Sequence, residues 1–289
     1  LDGTNREVSE EVARVRDLLL RAGATEVRTA ETAEEAATFW SGRKAAFPAT
    51  GRLAPDYYCI DGTIPRRHLG EVLTRIGEIC GRNLQTPSLE LGGKNPLVVL
   101  ADADLNLAVE GALWGAFGTA GQRCTSTGNV IVDRRVMQSV RDQLVARARG
   151  LRIGDPLDES VDYGPFINER FLERWLEQRA VGLDDGAELL LDGRRIGPND
   201  AAPGFSGNAT RGLYATPRIF DRVRIGARIA QQECFGPTVN LIEVDGLDEA
   251  IAAANGTPYG LSSAVYTRDA KAMLRFKEEI RAGMTSINN

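Results

Sequence analysis

Histidine is nearly absent from this chain, since His68 is the only one among 289 residues. Cysteine is scarce as well, with four residues, none of them in a CxxC pair: Cys59, Cys80, Cys124 and Cys234. This scarcity excludes a disulfide framework and a zinc site with cysteine and histidine ligands. It also excludes most Ser-His-Asp catalysis, unless His68, which we expect on the surface where a helix opens, is the base. Free thiols at this density favour a cytoplasmic location.

A basic excess and long apolar runs are also missing. Lys and Arg number 35 against 40 Asp and Glu, and the net charge of −5 argues against nucleic-acid binding. No apolar run approaches a membrane span and no signal segment opens the sequence, so we expect no membrane association. The length and the ordinary composition, 43% hydrophobic and 26% charged, favour a globular protein of two domains. The chain begins at Leu1 rather than Met and stops directly after an apolar run, so we expect a part of a longer sequence.

Helical and strand patterns alternate along the chain, which predicts the α/β class with a mostly parallel sheet. Apolar residues at helical spacing predict helices at residues 5–22, 33–46, 65–81, 104–116, 136–149, 169–180, 247–254 and 270–280. Short apolar runs predict strands at residues 25–28, 57–64, 88–91, 96–100, 129–132, 214–220, 239–244 and 262–266. Residues 182–214, rich in Gly, Asp and Pro, are predicted to be mainly loop.

The residues with the clearest chemical potential lie between 89 and 125. Glu90 stands in an apolar strand pattern before a Gly-Gly turn, where loss of hydration would suit its carboxylate to general-base catalysis. Cys124 follows a glycine-rich segment, and cysteine is the strongest nucleophile among side chains at neutral pH. Arg123 would favour the thiolate if it faced the sulfur, although adjacent residues on a strand usually point apart. A buried cysteine in a glycine-rich loop and an ordinary strand glutamate are the alternative interpretation.

Four ordered motifs carry a family resemblance. ELGGK at residues 90–94 and GQRCT at 121–125 resemble the aldehyde dehydrogenase superfamily in sequence and in spacing. Residues 232–237 resemble the family's E-x-F-G-P motif, and residues 255–261 resemble its N-x-T-x-Y-G-L motif. The resemblance extends over about residues 77–289 and implies a catalytic domain of the α/β class. It gives no role to Cys234.

The resemblance implies NAD(P)-dependent oxidation of a small aldehyde to a carboxylic acid. Cys124 would attack the carbonyl to give a thiohemiacetal, hydride transfer to NAD or NADP would leave a thioester, and Glu90 would activate the hydrolytic water. Glu233 would hold the nicotinamide ribose and Phe235 would pack near the nicotinamide. Gly92 would let the nicotinamide ring approach closely. The intact family also implies a homo-oligomer, and no metal.

Residues 1–76 resemble a different family, the C-terminal domain of FAD-linked oxidases of the glycolate oxidase/D-lactate dehydrogenase type. The resemblance rests on FWSGRKAAFP at residues 39–48 and on PDYYCIDGTIPR at 55–66. The two resemblances meet near residue 77, in a segment that is typical of a helix in either family. We therefore predict an incomplete α+β segment at 1–76, followed by a catalytic region at 77–289 that is truncated at its C-terminal end.

Three functional hypotheses follow. The first is an NAD(P)-dependent aldehyde dehydrogenase. The second is an inactive or fragmentary chimera of two oxidoreductases, because residues 1–88 contain no P-W-N-like or glycine-rich coenzyme motif of that family. The third is a fragment of an FAD-linked 2-hydroxy acid oxidoreductase, which we favour least because the sequence lacks that family's flavin-binding domain and histidine motif.

Overall fold

The computed structural model describes most of the chain after residue 65. The described residues are 12–17, 20–21, 27–30, 32, 34–35, 38, 66–84, 92–200 and 202–289, without the side chains of 66–70. The chain divides into two compact units, Leu1–Ile60 and Asp61–Asn289. Among the described residues, no helix has both the length and the apolar character needed to cross a membrane.

In the first unit, the described residues support the two predicted helices in part. Residues 12–17 and 20–21 are helical within the prediction at 5–22, and 34–35 and 38 are helical within that at 33–46. The strand prediction at 25–28 is wrong for residues 27 and 28, which have no partner strand among the described residues of this unit. The strands predicted at 57–64 and 88–91 lie outside the described residues.

The second unit alternates strands and helices, as the α/β prediction requires. Its described α-helices are α1 (Arg66–Arg82), α2 (Leu105–Phe117), α3 (Met137–Arg149), α4 (Glu169–Asp184), α5 (Arg228–Gln231), α6 (Gly246–Ala254) and α7 (Ala270–Glu279). Its described strands are β1 (Asn95–Val99), β2 (Thr127–Asp133), β3 (Glu188–Leu191), β4 (Arg218–Asp221), β5 (Thr238–Val244), β6 (Ser262–Tyr266) and β7 (Met284–Ile287). A 3₁₀ turn at Gly118–Gly121 follows α2.

The seven strands form one sheet in the order β3-β4-β5-β2-β1-β6-β7. All neighbours pair in parallel except β3 and β4, which are antiparallel. Parallel pairing requires crossover connections, and the helices between the strands supply them. The central strand β1 is buried along its whole length, with β2 on one side and β6 on the other.

Both faces of the sheet are covered, and successive residues of β1 point to opposite faces. Leu97 and Val99 belong to one apolar cluster, together with buried residues of α2 and α3. Val98 belongs to the second cluster, together with buried residues of α6 and α7. Such burial on two faces explains why residues 97–100, in β1 and directly after it, form a continuous apolar run in the sequence.

The sequence predictions fail mainly at the borders of the sheet. Strands β3 and β7 are missed because these edge strands are short and largely half-exposed, which weakens the apolar signal. Helix α4 continues to Asp184, past its predicted end at residue 180 and into the predicted loop, and Gly182 within it packs against the ring of Phe220. The strand predicted at 214–220 is confined to Arg218–Asp221.

Candidate active site

The sequence motifs converge at the amino ends of the central strands. The Gly92–Lys94 segment precedes β1, the Cys124 turn precedes β2, and residues 232–237 precede β5. Strands β5, β2 and β1 are consecutive neighbours in the sheet, and their parallel direction brings these three loops to one edge. The arrangement therefore unites Gly92, Cys124, Glu233 and Phe235 on adjacent loops.

The Gly92-Gly93 turn is in close contact with the carboxylate of Glu233. The amide of Gly93 donates a hydrogen bond to Glu233 Oε1 at 3.0 Å. A methyl group added at Gly92 would lie 2.6 Å from Glu233 Oε2, so a larger residue there would displace the carboxylate from its present position. Burial raises the pKa of the Glu233 carboxyl, while the Gly93 amide and two more distant cations lower it in part.

A tight turn presents Cys124. The amide of Ser126 donates to the carbonyl of Arg123 at 3.0 Å, which leaves Cys124 as the first of the two central residues. Asn95 supports this turn from below, because its Nδ2 donates to the carbonyls of Cys124 and Ser126, both at 2.8 Å. No acceptor among the described residues binds the Cys124 amide. An unpaired N–H beside a half-buried thiol is suited to stabilise an oxyanion formed at that sulfur.

The Arg123 side chain contacts α2. Its Nη2 donates to the carbonyl of Trp114 at 3.1 Å, and its guanidinium lies 5.2 Å from the centroid of the Trp114 ring. The sequence left open whether Arg123 faces the Cys124 sulfur. In the structure the indole of α2 binds the guanidinium, in keeping with the rule that adjacent residues point apart.

Left-handed backbone conformations bring the Cys124 and Glu233 loops together. Thr119 and Ala120 both have a φ of 54°, and Gly121 has a φ of 67°. A Cβ at Gly121 would lie 2.3 Å from the carbonyl oxygen of Gly236, so the two backbones touch at this point. The glycine before the cysteine is therefore required by loop packing as well as by its own conformation.

Phe235 has a φ of 50°, a strained value for a bulky residue. Its ring packs on Phe171 of α4, with the ring centroids 5.4 Å apart. Backbone strain of this kind is typical of functional sites. Residues 234 and 235 thus hold a defined conformation against α4 rather than a free loop.

Two buried cations lie beneath the Glu233 loop. Lys94 is 1% exposed, and its Nζ donates to Cys234 Sγ at 3.3 Å. Arg218 is fully buried, its guanidinium lies 3.9 Å from the centroid of the Trp175 ring, and burial lowers its pKa to about 10. Cys234, for which the sequence suggests only a small buried residue, is therefore the partner of a buried lysine.

Not every residue predicted for the site is described. Glu90 lies outside the described residues, so its role as a general base stays a prediction, and the side chain of His68 lies outside them too. Sequence reasoning assigned no role to Lys94, the last residue of the ELGGK motif, or to Asn95, which follows it directly. The signal that identifies them is a polar residue within an otherwise apolar strand start, since both are almost fully buried. Within the described residues, no group of three or more potential ligands could hold a metal ion.

This fold and these loops match a known class of oxidoreductases. A family model described as "Aldehyde dehydrogenase family" matches residues 70–289. The chain therefore belongs to the aldehyde dehydrogenase family. A second model, for FAD linked oxidases, C-terminal domain, matches residues 1–92, so both resemblances seen in the sequence are confirmed and they overlap over α1.

The curated proteins that resemble this chain are named as dehydrogenases of several aldehydes. It is 40% identical over 200 residues to the alpha-ketoglutaric semialdehyde dehydrogenase of Bacillus subtilis, with 69% of this chain and 39% of the relative covered. It is 34% identical over 215 residues to the human 4-trimethylaminobutyraldehyde dehydrogenase, with 74% and 42% covered. The chain thus spans about two fifths of the length of these relatives.

Solved structures show the same fold. The NAD-dependent aldehyde dehydrogenase of Sinorhizobium meliloti superposes with a TM-score of 0.68 at 36% identity, covering 76% of this chain and 41% of that one. A betaine aldehyde dehydrogenase of Staphylococcus aureus, solved in complex with NAD+, gives a TM-score of 0.67 at 28% identity, with 76% and 42% covered. The predicted α/β class is confirmed by these matches.

Proposed function

We propose that this chain carries the nucleophile and the nicotinamide-side residues for NAD(P)-dependent oxidation of a small aldehyde to a carboxylic acid. The observation that carries the proposal is the Cys124 turn, whose amide has no acceptor among the described residues and stands beside a half-buried thiol. The adjacent Glu233 loop adds a carboxylate within the same edge of the sheet. Family membership supports the reaction type.

Cys124 is assigned as the nucleophile. Its thiolate attacks the aldehyde carbon, one carbon–sulfur bond forms, and the carbonyl π electrons move onto oxygen. The Cys124 amide donates a hydrogen bond to that oxygen, in the manner of an oxyanion hole. The hemithioacetal that results remains attached to the turn that Asn95 supports from below.

The residues present fit the nicotinamide riboside half of the cofactor. Glu233 has carboxylate oxygens that can accept hydrogen bonds from ribose hydroxyls. Gly92, which has no side chain, lies directly beside that carboxylate. Phe235 supplies an aromatic surface on the same loop. When bound, NAD(P)+ accepts the hydride that leaves the substrate carbon. Glu90 is assigned to remove a proton from the water that hydrolyses the remaining thioester at Cys124.

The second candidate is the chimera hypothesis, in which the thiol site forms but oxidation does not occur. It is favoured by the lack of coenzyme motifs in residues 1–88 and by the match of residues 1–92 to a different family. Under this hypothesis, Cys124 is still acylated by activated esters, because acylation requires the thiol and the oxyanion donor but no dinucleotide. The third hypothesis, a fragment of an FAD-linked 2-hydroxy acid oxidoreductase, rests on that N-terminal match alone.

Turnover measurements separate the candidates. The purified chain is mixed with an anionic semialdehyde or a cationic aminoaldehyde, the two classes in the relatives' names, and with NAD+ or NADP+. Absorbance of the reduced cofactor that disappears in Cys124→Ala, but persists in the control Cys80→Ala, supports the proposed oxidation. Ester acylation that depends on Cys124 without any reduced cofactor supports the chimera. If the folded chain shows neither oxidation nor ester acylation, both candidates are overturned.

Other parts of the proposal concern organisation. We assign residues 1–76 to the FAD-oxidase-like segment and 77–289 to the catalytic region, and place the protein in the cytoplasm as a homo-oligomer. Cys80, Cys124 and Cys234 are free thiols, which supports a reducing compartment. Size-exclusion chromatography with light scattering at several concentrations tests the oligomeric state.

A further inference from the structure

The side chain of Asn95 makes three hydrogen bonds at the start of β1. Its Nδ2 donates to Cys124 O and to Ser126 O, both at 2.8 Å, and its Oδ1 accepts from the amide of Ser262 at 3.0 Å. The residue is 3% exposed, so water does not compete for these bonds. One amide group therefore joins the amino ends of β1, β2 and β6.

The two hydrogen bonds from Asn95 Nδ2 contact the cysteine turn at the carbonyls of Cys124 and Ser126. The turn itself is closed by Ser126 N to Arg123 O, and Arg123 N donates to Ser126 Oγ at 3.3 Å. These bonds fix the internal shape of the turn but not its tilt relative to the sheet. The tilt is set by Asn95, because it is the side chain that connects the carbonyls of the turn to β1.

Gly93, two residues before Asn95, packs closely against the same turn. A Cβ at Gly93 would lie 2.4 Å from Cys124 O and 2.6 Å from the Asn95 side chain. The Gly93 amide is bound in turn to Glu233. The Cys124 carbonyl is thus confined between Asn95 and Gly93, which orients the Cys124–Thr125 peptide unit, the one directly after the unit that carries the Cys124 amide.

We propose that Asn95 is a positioning residue for the nucleophile: by holding the carbonyls of Cys124 and Ser126, it keeps the Cys124 amide aimed at the oxygen of the bound carbonyl group. The inference rests on the proposed role of Cys124. It predicts that Asn95 matters for acyl transfer to the sulfur, which needs an oxyanion donor, and much less for alkylation of the sulfur, which needs none.

The test compares two reactions at one thiol in the full chain. Acylation is measured from the pre-steady-state burst of p-nitrophenolate with p-nitrophenyl acetate, and alkylation from peptide mass spectrometry with iodoacetamide. Cys80 on α1 serves as the internal reference for alkylation. The variants are Asn95→Ala and Asn95→Asp, whose carboxylate cannot donate to two carbonyls. Asn255→Ala is the control, since that amide binds Glu279 O and Arg281 N.

The expected result is a fall of about tenfold or more in the acylation-to-alkylation ratio at Cys124, because loss of one oxyanion donor costs about 100- to 1000-fold. Asn95→Ser keeps one hydrogen-bond donor, so its acylation-to-alkylation ratio should lie between those of Asn95→Ala and the wild type. This variant replaces the other two in the test if they do not fold. A merely structural role changes both rates together with the folded fraction and leaves the ratio unchanged.

The outcomes distinguish this inference from the proposed function. A wild-type burst at Cys124 with an unchanged ratio in all folded Asn95 variants overturns the positioning role and leaves the nucleophile in place. A wild-type chain that shows no Cys124-dependent burst overturns both. A ratio that falls equally in Asn255→Ala also overturns the inference, because that side chain binds elsewhere.

Discussion

Replacing Gly93 by alanine should disrupt the contact between the start of β1 and the cysteine turn. The added Cβ would lie 2.4 Å from the backbone oxygen of Cys124, whereas real Cβ contacts essentially never fall below 3.0 Å. The turn must therefore move by roughly 0.6 Å or more, in a direction that also disturbs the Asn95 side chain at 2.6 Å. Neither neighbour is the free end of a flexible side chain.

The cost follows from these contacts. Overpacking of a dense site costs about 1–3 kcal/mol, and weakening the Asn95 hydrogen bonds adds about 1 kcal/mol. The total of about 2–4 kcal/mol corresponds to a fall in Tm of roughly 5–15 °C for a unit of this size. Acylation of Cys124 should fall as well, because the same movement tilts the turn.

Calorimetry of the full chain measures this prediction, with Gly77→Ala as the matched control. Gly77 lies within α1, and an added Cβ there meets nothing within 4 Å. That substitution should stabilise by about 0.5–1 kcal/mol, because glycine inside a helix costs more conformational entropy than alanine. A Gly93→Ala protein that melts within about 1 °C of the wild type would refute the reasoning.

Two further substitutions test the charges of this unit. Burial raises the pKa of Glu233, so its contribution to stability is present below the unfolded pKa and lost as pH rises through the folded pKa. Glu233→Gln should remove that loss. The free energy of unfolding in urea should therefore decline less between about pH 4 and pH 7 in the variant than in the wild type. An equal decline in the variant and the wild type would contradict a raised pKa at Glu233. Asp221→Asn should cost about 2–4 kcal/mol, because the Asp221 side chain is 3% exposed and pairs with Arg141 at 2.9 Å, whereas Glu279→Gln, in an exposed pair with Arg275, should cost under about 1 kcal/mol. Urea titration measures both, and equal costs would contradict the burial argument.

The helices and central strands could be predicted because their apolar patterns record burial directly. Strand β6 has the predicted bounds, and β1 and β5 differ by one residue at their ends. Edge strands lack this record, since β3 and β7 bury little and pair on one side only. The loop predicted from residue 182 is wrong at its start, because Gly182 lies inside α4 and packs closely against Phe220.

The site was predictable only as far as its motifs carry chemistry in side chains. Cys124 is identified by its residue type and Glu233 by the family resemblance alone, and their adjacency follows from parallel neighbouring strands. The role inferred for Asn95 has no such signal, because its partners are backbone carbonyls 29 and 31 residues away. A carbonyl oxygen looks the same in every residue, so the sequence does not reveal which carbonyl accepts.

Backbone contacts connect the three loops, and this has a consequence for how the chemistry is divided. Gly93 meets the carbonyl of Cys124, Gly121 meets the carbonyl of Gly236, and Gly92 lies beneath Glu233. All of these contacts form within residues 92–236. These contacts do not involve a ligand, so the Cys124 turn forms without a bound dinucleotide, although Gly93 links it to the Glu233 carboxylate. Under the proposed function, acylation requires only the turn, whereas reduction of NAD(P)+ also requires the residues that hold the cofactor. A chain that performs the first reaction without the second would therefore still have a correctly formed nucleophile.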